Sequence, residues 1–180
     1  MNLRNLPLLN SYPKGGKMEM YPQSMDYHQI RALLPYRSPW LLIDRLISWG
    51  DKHIVVQKVI SGADPMVATH FPDGPSVIPG VLYIELVSQA ILLLGKLAQG
   101  IDSTAATNVT KGKNTVLARC KADFLSPGFI GDTLIADVTV SDVIAGTAVY
   151  DGMITCGERK VCKVNGMATS FDGPLVSSAY

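Results

Sequence analysis

At 180 residues, 47% of them hydrophobic, the chain has the size of one domain and enough apolar side chains for a substantial core. Its formal charge of +1 comes without a clustered basic excess, which leaves no footprint for nucleic acid. Cys120, Cys156 and Cys162 have neither metal-ligand spacing nor the pairing of a disulfide framework, which predicts reduced thiols in a cytoplasmic protein. There is no phosphate-binding glycine loop and no metal-ligand cluster, so neither cofactor nor metal is expected.

Residues 1–26 hold Pro7, Pro13, Gly15, Gly16 and Pro22 among polar residues, which predicts a flexible arm ahead of a single domain over residues 27–180. A short helix is expected from Tyr27 to Leu34, stopped by Pro35. Strands over Leu41–Trp49 and His53–Ile60 follow, joined at the turn signal Gly50-Asp51. Pro79 is placed to open the next helix, where its fixed φ suits the first turn and its missing N–H has no intrahelical partner to lose. From Val81 to Leu94 this helix is apolar on nearly every side, which predicts a helix surrounded by protein. Glu85, Gln89 and Lys96 interrupt it, and one such segment alone argues for a core helix over a membrane span. Gln99–Asn114 reads as a loop. Four strands are then expected: Thr115–Phe124, one through the alternating Thr133 to Val140, Thr147–Cys156 and Lys160–Phe171. Strands, one long helix and more strands define an α+β domain whose antiparallel sheet must cover the helix.

Glu85 is the conspicuous residue of that helix, because a carboxylate among apolar side chains costs several kcal/mol unless paired, hydrogen-bonded or protonated. Ser88 and Gln89 follow it by three and four positions and share its face, which lets Gln89 hold the carboxyl. Two readings stay open: a structural carboxylate that caps a loop or meets an arginine, and an acid for catalysis. His70, before the Pro/Gly-rich turn that leads into the helix, is open in the same way, as a structural histidine or a base. Asp73 adds a second carboxylate to that turn.

Three blocks in order carry a resemblance. Leu33-Leu34-Pro35-Tyr36-Arg37-Ser38-Pro39-Trp40-Leu41-Leu42-Ile43-Asp44-Arg45 is similar to an opening "L-P-H-R-x-P-x-L-L-x-D-R" segment. His70-Phe71-Pro72 with Pro79-Gly80-Val81-Leu82, Glu85 and Gln89 is similar to an active-site loop and central helix. Lys121-Ala122-Asp123-Phe124-Leu125-Ser126-Pro127-Gly128 with Gly131-Asp132 is similar to a "K-F-x-x-P-V-x-P-G-D" strand and turn. Together they resemble the 3-hydroxyacyl-acyl-carrier-protein dehydratases of the hot-dog fold, the fatty-acid and polyketide type. Tyr36 stands where that pattern has a histidine, and the loop from His70 to Pro79 is one residue longer.

The resemblance implies a hot-dog domain, an antiparallel sheet wrapped around a long central helix. It implies removal of water from a 3-hydroxyacyl thioester on acyl carrier protein to give the trans-2-enoyl thioester. His70 and Glu85 would be the catalytic pair, and Gly80, Gln89, Phe71 and Tyr83 would bind or orient the substrate, with no metal. It also implies a homodimer or higher even oligomer whose sites combine His70 of one subunit with Glu85 of the other. The partner would be a carrier protein bearing a phosphopantetheine-linked acyl chain, with no nucleic acid and no membrane. Lys111, Lys113, Arg119 and Lys121 form the densest basic run, which is a surface for that carrier or a solvated charged face. The rivals are a hot-dog acyl thioesterase and a non-catalytic hot-dog subunit.

Overall fold

The computed structural model describes residues 22–99 and 114–171. Residues 1–21 of the expected arm, Lys111, Lys113 and nearly all of the loop expected at Gln99–Asn114 lie outside the described residues. The end of that arm is part of the body. Met25 is buried and pairs with Leu46, and Trp49 Nε1 donates to the Pro22 carbonyl at 3.2 Å.

Helix α1 (Tyr27–Leu33) opens on a capping box in which Asp26 Oδ1 accepts from Gln29 N and Gln29 Oε1 accepts from Asp26 N, both at 3.0 Å. Pro35 ends it as expected. Arg37 then folds back so that its Nη1 donates to the carbonyls of Leu34 (3.0 Å), Tyr36 (2.6 Å) and Arg31 (3.3 Å), the last a carbonyl of the final helical turn. Residues 41–43 are buried but belong to no ladder, so the first strand, β1, is shorter than expected, Arg45–Trp49. β2 (His53–Val59) pairs with it across the expected turn. A four-residue helix α2 (Pro65–Ala68) was not foreseen, although its signal is local. Asp64 Oδ1 accepts from Met66 N at 3.0 Å, and Pro65 occupies the first helical position.

Helix α3 spans Val81–Gln99, starting two residues after Pro79 and running five past Leu94. Its entry is a tight turn in which Leu82 N donates to Pro79 O (3.0 Å) and Tyr83 N to Gly80 O (3.1 Å). Strands β3 (Asn114–Phe124), β4 (Thr133–Ile144), β5 (Thr147–Cys156) and β6 (Arg159–Phe171) complete one six-stranded sheet in the order β1-β2-β4-β5-β6-β3, each pair antiparallel. The β4–β5 turn places Ala145 and Gly146 at φ 49° and 79°, the left-handed pair that lets a two-residue hairpin match the twist of its strands.

The inward residues of β2, β4, β5 and β6 alternate as the period-2 pattern requires, and they close over Leu82, Leu86, Val87, Leu93 and Leu97 of α3. Gly152 lets the sheet approach closely, since a Cβ there would lie 2.9 Å from Val87 Cγ1. Val81–Ala98 is long and apolar enough to cross a membrane, yet 67% of it is buried inside the protein. β1 and β3 are the sheet edges. β1 is covered in part by Met25, whereas β3 is eleven residues long and presents exposed Val116, Leu117 and Phe124.

Candidate active site

Gln89 is fully buried, and every polar atom of its amide is used. Its Oε1 accepts from Leu42 N at 2.9 Å, while its Nε2 donates to Trp40 O at 2.7 Å and to Glu85 Oε1 at 2.8 Å. The amide thus ties the ladder-free segment 40–42 to α3 and aims the Glu85 carboxyl from below. The i, i+4 spacing read from the sequence produces this contact. Glu85 itself is half-buried in this single chain, less enclosed than a carboxylate on so apolar a helix is expected to be. Tyr36, the departure from the opening motif, comes close to it. Burial first, and then the neighbouring Glu85 carboxylate, push the Tyr36 phenol above its ordinary range.

His70 follows α2, its own N–H donating to Val67 O at 3.2 Å. Its Nδ1 lies 3.2 Å from the Val77 carbonyl. A carbonyl only accepts, so Nδ1 carries the proton, and in the neutral ring Nε2 carries the lone pair. Phe71 stacks on His70 with ring centroids 4.0 Å apart and is half-exposed. The longer loop is accommodated as an outward turn over residues 71–76, closed by Gly74 N to Phe71 O at 3.1 Å, and Asp73 lies exposed in it. Among the described residues no hydrogen bond or ion pair joins His70 to Glu85.

Gly80 and Tyr83 come together at the entry of α3, in the wall of a pocket of about 330 Å³ with Ile78, Phe124, Leu125 and Pro127. Phe124 roofs this entry so closely that a Cβ on Gly80 would sit 3.1 Å from its ring. The Gly80 N–H bonds to no group among the described residues, at the positive end of a helix nineteen residues long. Tyr83 is buried, its hydroxyl accepting from Gly128 N at 2.7 Å. That bond, and the pairing of Ile78 N with Gly128 O at 3.0 Å, join the helix entry to the loop before β4. The roles of Leu42 N, Trp40 O, Val77 O and the Gly128 backbone are not marked in the sequence, because a backbone group has no residue-type signature. Among the described residues no three side chains cluster as a metal site.

The hot-dog scaffold thus carries a helix-borne carboxyl aimed by a buried amide, a histidine whose Nδ1 meets a backbone carbonyl, and a free N–H at the helix entry. Comparison with known proteins identifies the family. Residues 28–168 match the model of the ApeP-like family, described as ApeP dehydratase. The 3-hydroxyacyl-[acyl-carrier-protein] dehydratase FabZ of Polaromonas sp. (strain JS666) is 36% identical over 149 residues, covering 81% of this chain and 97% of that enzyme. The bifunctional enzyme LpxC/FabZ of Porphyromonas gingivalis (strain W83) is 34% identical over 147 residues, and the matched region spans 80% of this chain but 30% of that longer enzyme. Among solved structures, the dehydratase heterocomplex ApeI:P from Xenorhabdus doucetiae matches with TM-score 0.64 at 17% identity, over 79% of this chain and 91% of that one. The PaaI protein of E. coli matches with TM-score 0.52 at 26% identity, over 69% and 80%. The class is therefore that of the hot-dog dehydratases, lyases that remove water. Within it, this chain belongs to the ApeP-like dehydratase family.

Proposed function

We propose that the protein dehydrates 3-hydroxyacyl thioesters carried on the phosphopantetheine arm of an acyl carrier protein, giving trans-2-enoyl thioesters for fatty-acid or polyketide-like synthesis. The observation that carries this reading is the Gln89 brace, since a fully buried amide is committed to aiming one half-buried carboxyl. In the proposed reaction His70 Nε2 takes the C2 proton. The Gly80 N–H donates to the thioester oxygen as it gains enolate charge. Glu85 gives its proton to the C3 hydroxyl, which leaves as water while the C2–C3 double bond forms. Gln89 keeps Glu85 in place, and Phe71 and Tyr83 bound the path of the acyl chain. The matching family and the FabZ relative are named as dehydratases, which favours this chemistry over a thioesterase.

The half-exposed Glu85, its lack of contact with His70 in one chain and the apolar exposed edge β3 support a site shared between two subunits. A homodimer is the first form of this proposal. Pairing with a different hot-dog chain is the second, favoured by the heterocomplex in which the structural relative was solved. Arg119 and Lys121, exposed on β3, are the described part of the basic run, and we assign them to the approach of an acidic carrier. A cytoplasmic setting fits three free cysteines, of which Cys162 is buried and has its thiol pushed up to about 11 chiefly by that burial.

The test is interconversion of 3-hydroxyacyl and trans-2-enoyl carrier thioesters by the purified protein, alone and with a co-expressed partner chain, without added metal or nucleotide. Turnover in both directions is expected. Failure with short, medium and long acyl chains overturns the proposal, and release of free acid instead of enoyl thioester replaces it with a thioesterase.

A further inference from the structure

The His70 loop and the loop before β4 share no regular ladder, only an isolated bridge between Val77 and Phe129 flanked by Ile78 N to Gly128 O (3.0 Å) and Ile130 N to Ser76 O (3.1 Å). Bonds between two loops do not by themselves hold a carbonyl to within a fraction of an ångström. The first residue of β6 supplies what they lack. Arg159 reaches across with Nη1 donating to the Pro127 carbonyl and to Ser126 Oγ (3.2 Å), and Nη2 paired with Asp132 Oδ2. The same Asp132 oxygen accepts from Phe129 N at 2.9 Å, and the guanidinium carbon lies 5.8 Å from the centre of the Phe129 ring. Phe129, the residue that bridges Val77, is thus held through both its backbone and its ring.

We propose that Arg159, with Asp132, is a positioning residue for His70: it latches the 126–132 loop, which in turn holds the Val77 carbonyl that selects the His70 tautomer. The inference rests on the reading of His70 as the base. A neutral imidazole keeps one proton. While Val77 O accepts from Nδ1, the lone pair is confined to Nε2, where a base needs it. If the carbonyl drifts, the proton is free to settle on Nε2 and the ring presents a donor where the reaction requires an acceptor. The latch stays charged in ordinary conditions, because the Phe129 N–H first, and Arg159 after it, hold the Asp132 carboxyl below its usual range against the opposing effect of burial. A planar fork meets three acceptors at once, which a lysine ammonium cannot do from the same position.

The experiment measures imidazole 15N shifts and steady-state hydration of a crotonyl pantetheine thioester on the full chain and on Arg159→Met, with Arg159→Lys in its place if the Met variant does not fold. His70→Gln identifies the His70 signals among the three histidines. In the parent protein neutral His70 is expected to be protonated at Nδ1. In the variant its shifts move toward an Nε2-protonated mixture, and kcat falls at least tenfold with KM changed less than threefold, in the direction of the roughly hundredfold loss that a misplacement of about 1 Å produces. A merely structural arginine would lower the unfolding temperature and leave the tautomer of the folded molecules alone. An unchanged tautomer, or a shifted tautomer with unchanged kcat, overturns the proposal. If the parent protein has no dehydratase activity, the functional reading fails, while the 15N shifts still decide whether the latch sets the tautomer.

Discussion

Gln89 shows how much one residue contributes to this site. Its amide satisfies Leu42 N, Trp40 O and Glu85 Oε1 together, so Gln89→Leu leaves a buried N–H and a carbonyl unpaired and also frees the carboxyl. Unpaired buried groups cost about 1–3 kcal/mol each. The variant is expected to unfold at lower denaturant concentration and to lose turnover, whereas Glu85→Gln and His70→Ala each lose about a hundredfold in turnover with their unfolding midpoints nearly unchanged. Denaturant titration beside the thioester assay separates these outcomes, and comparable turnover in Glu85→Gln and the parent would remove Glu85 from the chemistry. Tyr150 presents the reverse case. Among the described residues its buried hydroxyl meets no hydrogen-bond partner in good geometry, although Ser88, which donates to Ile84 O at 2.8 Å, lies close by. The ring lies so close over Gly166 that a Cβ there would come within 2.3 Å of it. Tyr150→Phe is therefore expected to keep or raise stability, and Gly166→Ala to lower it by well over 1 kcal/mol through overpacking, both read by thermal unfolding. A clear drop for Tyr150→Phe would mean that the hydroxyl is bonded within the fold.

Among the elements, those with strong local patterns were legible in advance. The alternation along β4 and β5, the apolar α3 and the stop at Pro35 are local, and the structure places them within a few residues of expectation. The apolar Leu41, Leu42 and Ile43 predict strand over 41–43, where the structure has no ladder. Burial by α3 and the hydrogen bond from Leu42 to Gln89 account for those side chains without a ladder. Helix α2 is invisible to periodicity because four residues are too few to show a period, although Asp64-Pro65 is a sound helix start. The loop before β4 allows a test by acid. The folded-state pKa of Asp132 lies below its unfolded value, so the unfolded chain binds the proton more readily. The stabilisation is then complete above the ordinary carboxylate range near pH 4 and is lost as pH falls through the lower folded value. The difference in stability between the parent protein and Asp132→Asn should be constant from about pH 7 to 5 and shrink below about pH 4. A difference that persists undiminished at low pH would show that Asp132 acts there through shape and not charge.

For the whole molecule the decisive question is whether one chain completes a site. If two copies share each site, mixing inactive His70→Ala and Glu85→Gln proteins under conditions of subunit exchange yields mixed dimers with one intact site and one empty of both groups. Half of a statistical mixture is mixed, so about a quarter of parental activity is expected if sites act independently. Activity that stays at the level of the separate variants despite verified exchange would mean that each site is built within one chain, or that the second subunit is a different protein. Restoration only when a co-expressed hot-dog chain is supplied would favour the heterologous pair.

The sequence by itself determined the α+β class, the long core helix and the polar seam of Glu85 and Gln89 on it, because periodicity and i, i+4 spacing are properties of neighbours along the chain. Family resemblance in three ordered blocks then named His70 and Gly80 as candidate partners to that seam. Only the tertiary structure decided what orients them. Gln89 bonds to groups 47 and 49 residues away, and the Val77 carbonyl beside His70 is held through a loop latched by Arg159 from the far end of the chain. Such contacts follow from strand order and loop apposition, which bring together backbone groups that all residues possess and that no sequence pattern marks.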